Sequence, residues 1–284
     1  MDGIIVIYKP KQYTSHDVVA KVKKILEEKV GHTGTLDPNA TGVLPLLIGK
    51  GTLLSKYLIN HDKTYIATIQ LGKRTDTLDE EGIVIEKKEV LKQSLEKENI
   101  EKVLKTFLGE QEQTPPMYSA IKVKGKKLYE YARKGQTVEI PTRKITIYEI
   151  KLIRIQEELK QIVIEVSCSK GTYIRSLCDD IAKKLNTIGY MKELERTKVG
   201  QFKLEDTITI EELEKAKENM ISVEDFFQNK SEITLEPSKL EMFLNGVKLD
   251  TNQQDQVYRI YDQKKCFIGS GIVENKKLKR DIIL

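Results

Sequence analysis

Apolar positions along the chain follow two spacings, one typical of strands and one typical of helices. Strands are predicted where apolar residues run together or alternate, and helices where they recur every three or four residues. The predicted strands lie at 4–8, 64–71, 145–155 and 161–169. The predicted helices begin behind a capping-box-like Thr14, span 100–108 and 174–185, and include a helix and turn at 210–227.

These strands and helices mix without a regular alternation of strand, helix and strand, so the fold class is predicted to be α+β. The pattern resets near 229–233, and residues 231–284 contain strand-like pieces around Gly269 and Gly271, followed by a basic KKLKR cluster. We therefore expect a large domain over residues 1–230 and a small β-rich domain over residues 231–284.

Composition mainly excludes classes of protein. Of the 284 residues, 39% are hydrophobic and 32% are charged, which provides for a packed core and argues against disorder. No apolar run approaches the roughly 18 to 20 residues that span a bilayer, and no signal peptide is expected at the N-terminus. The cysteines Cys168, Cys178 and Cys266 lack metal-ligand spacing, and a reducing cytoplasm fits them best. The formal net charge of +5 permits an acidic partner without indicating one.

The most unusual stretch is GHTGTLDPNATG, residues 31–42. Its glycines allow backbone conformations that other residues avoid, and Pro38 biases the preceding Asp37 toward an extended conformation. A loop of this kind can present one carboxylate rigidly, with His32 five positions before it. On local chemistry alone, an Asx-type turn that links two elements is the favoured interpretation.

Two further segments hold candidate functional residues. In SKGTYIRSLCDD, Arg175 lies near the start of a predicted helix that Thr172 can cap. A cation there opposes the helix dipole by about 0.3–1 kcal/mol, so we expect a carboxylate or phosphate partner, unless the arginine is simply exposed to solvent. Tyr65 lies on the same face of its predicted strand as Ala67 and Ile69, which favours a core residue over a platform for a flat ligand.

Basic and aromatic side chains are interleaved between positions 118 and 144. They are Lys122, Lys124, Lys126, Lys127, Arg143 and Lys144, with Tyr118, Tyr129 and Tyr131. This mixture is typical of surfaces that bind RNA backbone and exposed bases, although a KGKK sequence is also typical of an ordinary hairpin tip.

Several other candidate motifs do not support the functions that they suggest. A phosphate-binding loop around Lys50 would require glycine where Leu44 stands. Asp76 and Asp79 could suggest a glycosidase pair or a metal site, but a solvated acidic loop is the favoured interpretation. The histidines lack zinc spacing, and no Ser-His-Asp arrangement can be argued.

Together these segments resemble one family, the TruB-type bacterial tRNA pseudouridine synthases. The resemblance runs in order over residues 3–227, and the tail, with LNG, FIGSG and a basic end, resembles a PUA domain. The motifs that carry it are GHTGTLDPNATGVLPLLIGKGT, KTYIATIQLGKRTDTLDEEG, MYSAIKVKGKKLYEYARKG, SKGTYIRSLCDDIA, LERTKVGQF and ISVEDF. Tyr8 and Thr197 depart from the family's pattern at positions that do not touch the implied chemistry.

The resemblance implies a mixed, mainly antiparallel sheet with flanking helices as a catalytic domain, followed by a PUA-like RNA-binding domain. It also implies conversion of the uridine at tRNA position 55, in the T loop, to pseudouridine. No cofactor and no metal would be needed. We expect a cytoplasmic monomer that binds the T stem-loop of tRNA, without membrane association or an obligatory protein partner.

The same resemblance implies site residues. Asp37 would be the catalytic carboxylate, Arg175 its charge partner and Tyr65 the residue that stacks on the base. His32, Tyr173 and Leu194 would line the substrate pocket.

The chemistry explains these residue types. The reaction breaks the N1–C1′ bond, turns the base and joins C5 to C1′, and a carboxylate must be ionised to attack or to stabilise a sugar intermediate. A guanidinium lowers the pKa of a carboxyl that burial raises, so Arg175 is expected to keep Asp37 anionic in a pocket that excludes water. Flipping the base costs a few kcal/mol, and stacking on Tyr65 returns roughly 1–3 kcal/mol.

Two alternatives belong to other functional classes. One is an RNA-binding or tRNA-folding protein in which chemistry is secondary or lost, although binding alone would not require Asp37, Tyr65 and Arg175 together. The other is a glycosidase-like enzyme that cleaves the N-glycosidic bond and releases free uracil.

Overall fold

The computed structural model describes residues 1–213 and 220–284. Its strands are β1 (Gly3–Lys9), β2 (Val30–His32), β3 (Thr41–Ile48), β4 (Lys63–Leu71), β5 (Lys73–Thr75), β6 (Val84–Lys87), β7 (Gly109–Gln113), β8 (Lys122–Val123), β9 (Lys126–Lys127), β10 (Arg143–Gln156), β11 (Gln161–Cys168), β12 (Gly189–Val199), β13 (Phe202–Lys203), β14 (Ile221–Ser222), β15 (Glu232–Thr234), β16 (Leu249–Asp250), β17 (Val257–Tyr261), β18 (Phe267–Glu274) and β19 (Lys277–Ile283). Its α-helices are α1 (Ser15–Leu26), α2 (Ser55–Leu58), α3 (Lys97–Lys105), α4 (Leu128–Ala132), α5 (Ile174–Lys184), α6 (Val223–Phe226) and α7 (Pro237–Leu244). Short 3-10 helices lie at Gly49–Leu54, Lys92–Leu95 and Leu204–Asp206.

The larger sheet has the strand order β14-β1-β3-β12-β4-β11-β10-β7, with β2 beside β3 and β13 beside β12. Within the described residues its neighbouring strands are antiparallel, except that β3 and β12 run parallel. The prediction of an α+β fold with a mixed, mainly antiparallel sheet is therefore confirmed. All four predicted strands are present in it.

Helices cover the larger sheet with the apolar stripes that their spacing predicts. Helices α3 and α5 pack on the side where Tyr65, Ala67 and Ile69 of β4 are buried, as the alternation in β4 predicts. Helix α1 begins at the predicted capping box of Thr14, and its apolar face packs against β1 and β3. Helix α3 ends at Lys105 rather than at residue 108, because the chain turns through Thr106 before β7 begins at Gly109.

A second sheet, of order β15-β17-β18-β19-β16, follows near the predicted boundary. It has its own apolar cluster around Phe243 and Ile260, while Ile282 packs into a cluster of the first sheet that includes Phe227. Its assignment as a PUA-like RNA-binding domain stays a prediction, as does the domain division. The predicted helix and turn at 210–227 lies partly outside the described residues, at 214–219.

The three cysteines are free, with Cys168 and Cys178 buried in the core as predicted and Cys266 exposed. Among the described helices, none is long and apolar enough to cross a membrane.

Candidate active site

An open cleft of about 450 Å³ lies where the loop before β3, the strands β4 and β12, and the start of α5 meet. Five of the six predicted site residues line it: Asp37, Tyr65, Tyr173, Arg175 and Leu194. The sixth, His32 at the end of β2, is not among the described residues that line the cleft. Burial lowers the pKa of His32, with the nearby Arg196 guanidinium acting in the same direction.

Asp37 and Arg175 are in direct contact within this cleft. Nε of Arg175 lies 3.2 Å from Oδ2 of Asp37, and the arginine side chain is 8% exposed while that of Asp37 is 41% exposed. The guanidinium is thus fixed in the protein, and the carboxylate faces the open cleft. A buried positive charge thus lies directly against a carboxylate that a ligand in the cleft can reach.

Backbone carbonyls hold Arg175 from two further directions. Its Nη1 donates to the carbonyl oxygen of Thr77 at 3.3 Å, and its Nη2 donates to that of Tyr118 at 3.1 Å. These bonds fix the plane of the guanidinium, so its Nε edge remains directed at Asp37. Together with Asp37, these carbonyls offset the unfavourable interaction of the Arg175 cation with the dipole of α5.

Asp79 is a second carboxylate partner of Arg175. Its Oδ2 lies 3.3 Å from Nη1 of Arg175, and its side chain is only 14% exposed. Its Oδ1 accepts hydrogen bonds from the Thr77 hydroxyl at 2.6 Å and from the backbone N–H of Glu81 at 3.1 Å. Burial raises the pKa of Asp79, while the Thr77 hydroxyl and Arg175 act in the opposite direction.

The interpretation of RTDTLDEEG as a solvated acidic loop is therefore wrong for Asp79. Arg74, at the start of this loop, forms a bidentate ion pair with the buried Asp179, at 2.9 and 3.2 Å. Asp179 lies one turn beyond Arg175 on α5, on the same face of the helix. The pair fastens the loop to α5 and thereby carries Asp79 to Arg175.

The start of α5 is capped differently from the prediction. The Thr172 hydroxyl donates to the carbonyl oxygen of Ser169 at 2.9 Å rather than accepting from the helix. The buried Gln113 instead accepts from the backbone N–H of Tyr173 at 2.8 Å and donates to its carbonyl oxygen at 3.0 Å. Arg143 lies over the ring of Tyr173, 5.5 Å from its centroid. Tyr173 is thus held at the cleft wall from two sides.

Tyr65 lies at the centre of the larger sheet, where β4 pairs with β12 and places it opposite Arg196. Its side chain is buried, and burial raises the pKa of its hydroxyl to about 12, an effect that the neighbouring Arg196 guanidinium opposes. The hydroxyl is therefore protonated at neutral pH. The tyrosine combines a core position with access to the cleft, so the two interpretations of it do not exclude each other.

Arg196 is a fully buried cation that the sequence pattern did not single out. Its Nε donates to the carbonyl oxygen of Val43 at 2.9 Å and its Nη2 to that of Gly34 at 3.1 Å. Gly42 lies so close to the Arg196 backbone that a Cβ at position 42 would come within 2.2 Å of the Arg196 carbonyl oxygen. Arg196 thereby ties the loop before β3 to the floor of the cleft. Because arginine is scarce in this chain, its occurrence at position 196 was the sequence feature that could have indicated this role.

Lys9 is the second functional candidate that the pattern did not reveal. Its Nζ is fully buried and donates to the carbonyl oxygens of Pro10 at 3.0 Å, Pro38 at 2.9 Å and Tyr13. Burial lowers the pKa of Lys9 to about 8, so it is still mostly protonated at pH 7. The three carbonyls match the three N–H groups of an ammonium. One of these carbonyls belongs to Pro38, the residue that follows Asp37.

Comparison with known proteins gives a consistent result. The family model described as TruB family pseudouridylate synthase (N terminal domain) matches residues 23–174, and that described as tRNA pseudouridylate synthase B C-terminal domain matches residues 175–235. A protein named tRNA pseudouridine synthase B from Caldanaerobacter subterraneus subsp. tengcongensis is 45% identical over 282 residues, covering 98% of each chain. One of the same name from Clostridium kluyveri is 43% identical over 288 residues, again covering 98% of each chain.

A solved structure is similar over nearly the whole chain. A chain of a Cbf5-Nop10-Gar1 complex superposes with a TM-score of 0.68 and 27% sequence identity, and the match covers 99% of this chain and 83% of that one.

Proposed function

This chain belongs to the TruB family of pseudouridylate synthases, and on that basis we propose that it converts the uridine at position 55, in the T loop of tRNA, to pseudouridine. The observation that carries the proposal is the contact between Asp37 and Arg175. A carboxylate open to a large cleft and fixed by a buried guanidinium is suited to an isomerisation that needs an ionised carboxylate.

Asp37 is the group that acts on the substrate. Whether the carboxylate attacks covalently or stabilises and deprotonates a sugar intermediate, it must be anionic when the N1–C1′ bond breaks. Arg175 places a positive charge against this carboxylate, and the carbonyls of Thr77 and Tyr118 hold the guanidinium in place. This arrangement supplies a positioned charge without requiring movement at the moment of reaction.

Tyr65 is proposed to stack on the flipped uracil. It lies in the floor of the cleft, and Leu194 and Tyr173 also line the space that the base would enter. Stacking on an aromatic ring is worth roughly 1–3 kcal/mol per base, which offsets part of the cost of flipping. We also propose that the Tyr65 hydroxyl influences removal of the C5 proton. The assignment of His32 to the substrate pocket stays a prediction.

The RNA itself is expected to close the cleft. With its side chain 41% exposed, Asp37 is accessible to water in the free protein. A T stem-loop that covers the opening would exclude this water and retain the detached uracil. Tyr118, before the hairpin of β8 and β9, and Tyr129, on α4 after it, line one wall of the cleft, and the hairpin between them carries Lys122, Lys124, Lys126 and Lys127.

For the cell, we expect a cytoplasmic enzyme that acts as a monomer, without an obligatory protein partner, and that uses the second sheet as a PUA-like RNA-binding domain. These expectations derive from the family resemblance and from the free cysteines, which suit a reducing compartment.

Release of tritium from tRNA labelled at C5 of uridine tests the reaction, because C5 loses its hydrogen only when it is joined to C1′. The wild-type protein should release tritium, and Asp37→Asn should release none while still binding tRNA. Retained turnover by Asp37→Asn would contradict the assigned carboxylate. A pure binding protein releases no tritium, and a glycosidase-like enzyme produces free uracil that chromatography would detect.

A further inference from the structure

Ile59 is an exposed aliphatic residue in the wall of the cleft. Its side chain lies just beyond α2 and is 60% exposed, although it is one of the residues that line the cleft. Scattered exposed aliphatic residues are common on protein surfaces and need no explanation. Ile153, for example, is 54% exposed on β10, but it does not belong to the described residues that line the cleft.

The position of Ile59 is fixed by the structure around it. Its backbone N–H donates to the carbonyl oxygen of Ser55 at 2.9 Å, and the adjacent Leu58 is buried in an apolar cluster. On its other side, the side chain of Asn60 accepts from Nζ of Lys170 at 2.6 Å. This bond links the segment after α2 to the segment before α5 across the rim of the cleft.

Two cations lie at the same part of the cleft. Lys63 and Lys170 both line it, and among the described residues neither forms a salt bridge. Their hydrogen bonds go to neutral oxygens, those of the His61 backbone and the Asn60 side chain. Their charges are therefore available for an anionic ligand.

An apolar side chain beside two lysines that form no salt bridge suits a nucleotide. A nucleotide in a single-stranded loop presents a phosphate on one side and the face or edge of a base and ribose on the other. The same cleft is proposed above to hold the reacting uridine, so we expect a neighbouring nucleotide to lie along this rim.

We propose that Ile59 is a substrate-positioning residue that packs against the base of the nucleotide next to the flipped uridine, while Lys63 and Lys170 bind the phosphates of that nucleotide. The inference rests on the proposed function, because it requires a flipped uridine in the cleft. The proposed contact with a neighbouring nucleotide would help to bind and position the RNA loop before the reaction.

The first test compares Ile59→Ala with Ile153→Ala, a substitution of the same residue type at similar exposure on β10. We expect Ile59→Ala to raise the KM for a T stem-loop RNA roughly five- to tenfold, with kcat within twofold of wild type, because ground-state and transition-state contacts are lost equally. Ile59→Val should restore most of the affinity, and Ile153→Ala should match wild type. Equal KM values for the two alanine variants would overturn the proposal.

The second test identifies the nucleotide. Stem-loop RNAs with one abasic residue at each loop position in turn, other than the target, are bound to the wild-type protein and to Ile59→Ala. At one position adjoining the target, the variant should lose no further affinity, since the base that it contacts has already been removed. A penalty that persists with every abasic RNA would show that Ile59 contacts no loop base and would overturn the inference. If the wild-type protein itself forms no pseudouridine, the proposed function fails instead.

Discussion

The guanidinium of Arg175 contacts the carboxylate of Asp79 at 3.3 Å, so the arginine beside Asp37 has a second acidic partner. This second partner is mostly shielded from solvent and lies on the side of the guanidinium that does not face Asp37. Two carboxylates on one guanidinium compete for its charge, but they also fix its orientation. Because burial raises the pKa of Asp79, its charge depends on Arg175 and on the hydroxyl of Thr77. Asp79 is therefore a positioning residue for Arg175.

Asp79→Asn is expected to lower the single-turnover rate of pseudouridine formation by about 10²-fold or less, with little change in RNA affinity. Asparagine preserves the shape but weakens the contact with Arg175, and small misplacements of a catalytic group have costs of this size. The rate and the dissociation constant are measured on the same stem-loop RNA. Glu98→Gln, a neutralisation at an exposed position on α3, is the control and should behave as wild type. An equal fall in affinity would mean that Asp79 acts on RNA binding instead.

Much of this architecture follows from the sequence pattern. Alternation in β4 places Tyr65 on the buried face, and three- to four-residue spacing predicts α5 and with it the position of Arg175. The pairing of Asp37 with Arg175 did not follow from spacing, because the two residues come from distant segments and only the family resemblance brought them together. Spacing along one element predicts its faces and not which other elements it meets.

The residues that the sequence pattern misjudged or missed escaped it for one physical reason. Lys9 and Arg196 are buried cations satisfied by backbone carbonyls, whereas lysine and arginine are seldom fully buried. Asp79 stands in an acidic, polar stretch that looks solvated, and its burial depends on the ion pair between Arg74 and Asp179. Each of these contacts is a tertiary one that no local pattern contains.

Lys9 should make the stability of the fold depend on pH in a defined direction. Its pKa is about 8 in the folded protein and 10.5 in the unfolded chain, so between these values the unfolded chain binds more protons. The free energy of unfolding contributed by Lys9 therefore rises with pH in this window, by up to about 1.36 kcal/mol per pH unit. Below pH 8 this contribution is flat.

Urea denaturation of the wild-type protein and of Lys9→Met at several pH values from 7 to 10 measures this effect. The difference between the two isolates Lys9, because the other lysines and tyrosines titrate in both proteins. We expect the wild type to gain stability relative to the variant as the pH rises above 8. Parallel profiles would show that burial does not lower the pKa of Lys9.

Substitutions of Tyr65 should distinguish stacking of its ring on the base from a chemical role of its hydroxyl. Tyr65→Phe keeps the ring and is expected to bind the stem-loop RNA as tightly as wild type, whereas Tyr65→Ala should bind roughly 5- to 160-fold more weakly, since one base–aromatic stack is lost. Because the pKa of the hydroxyl is about 12, no step that depends on tyrosinate should appear in the rate below pH 10. If Tyr65→Phe turns over as slowly as Tyr65→Ala while binding normally, the hydroxyl takes part in the reaction.

Arg175→Lys tests whether the shape of the cation matters as well as its charge. The guanidinium contacts Asp37, Asp79 and two backbone carbonyls at once through three different nitrogens. A lysine ammonium is a single point with three donors on a flexible stem, so it cannot reach all four oxygens while holding Asp37. We expect kcat to fall by at least about 10²-fold, with the protein folded and RNA affinity largely retained. Circular dichroism and binding measurements serve as the control for folding. A turnover close to that of wild type would show that positive charge alone near Asp37 suffices, and the orienting role given to the carbonyls of Thr77 and Tyr118 would then be wrong.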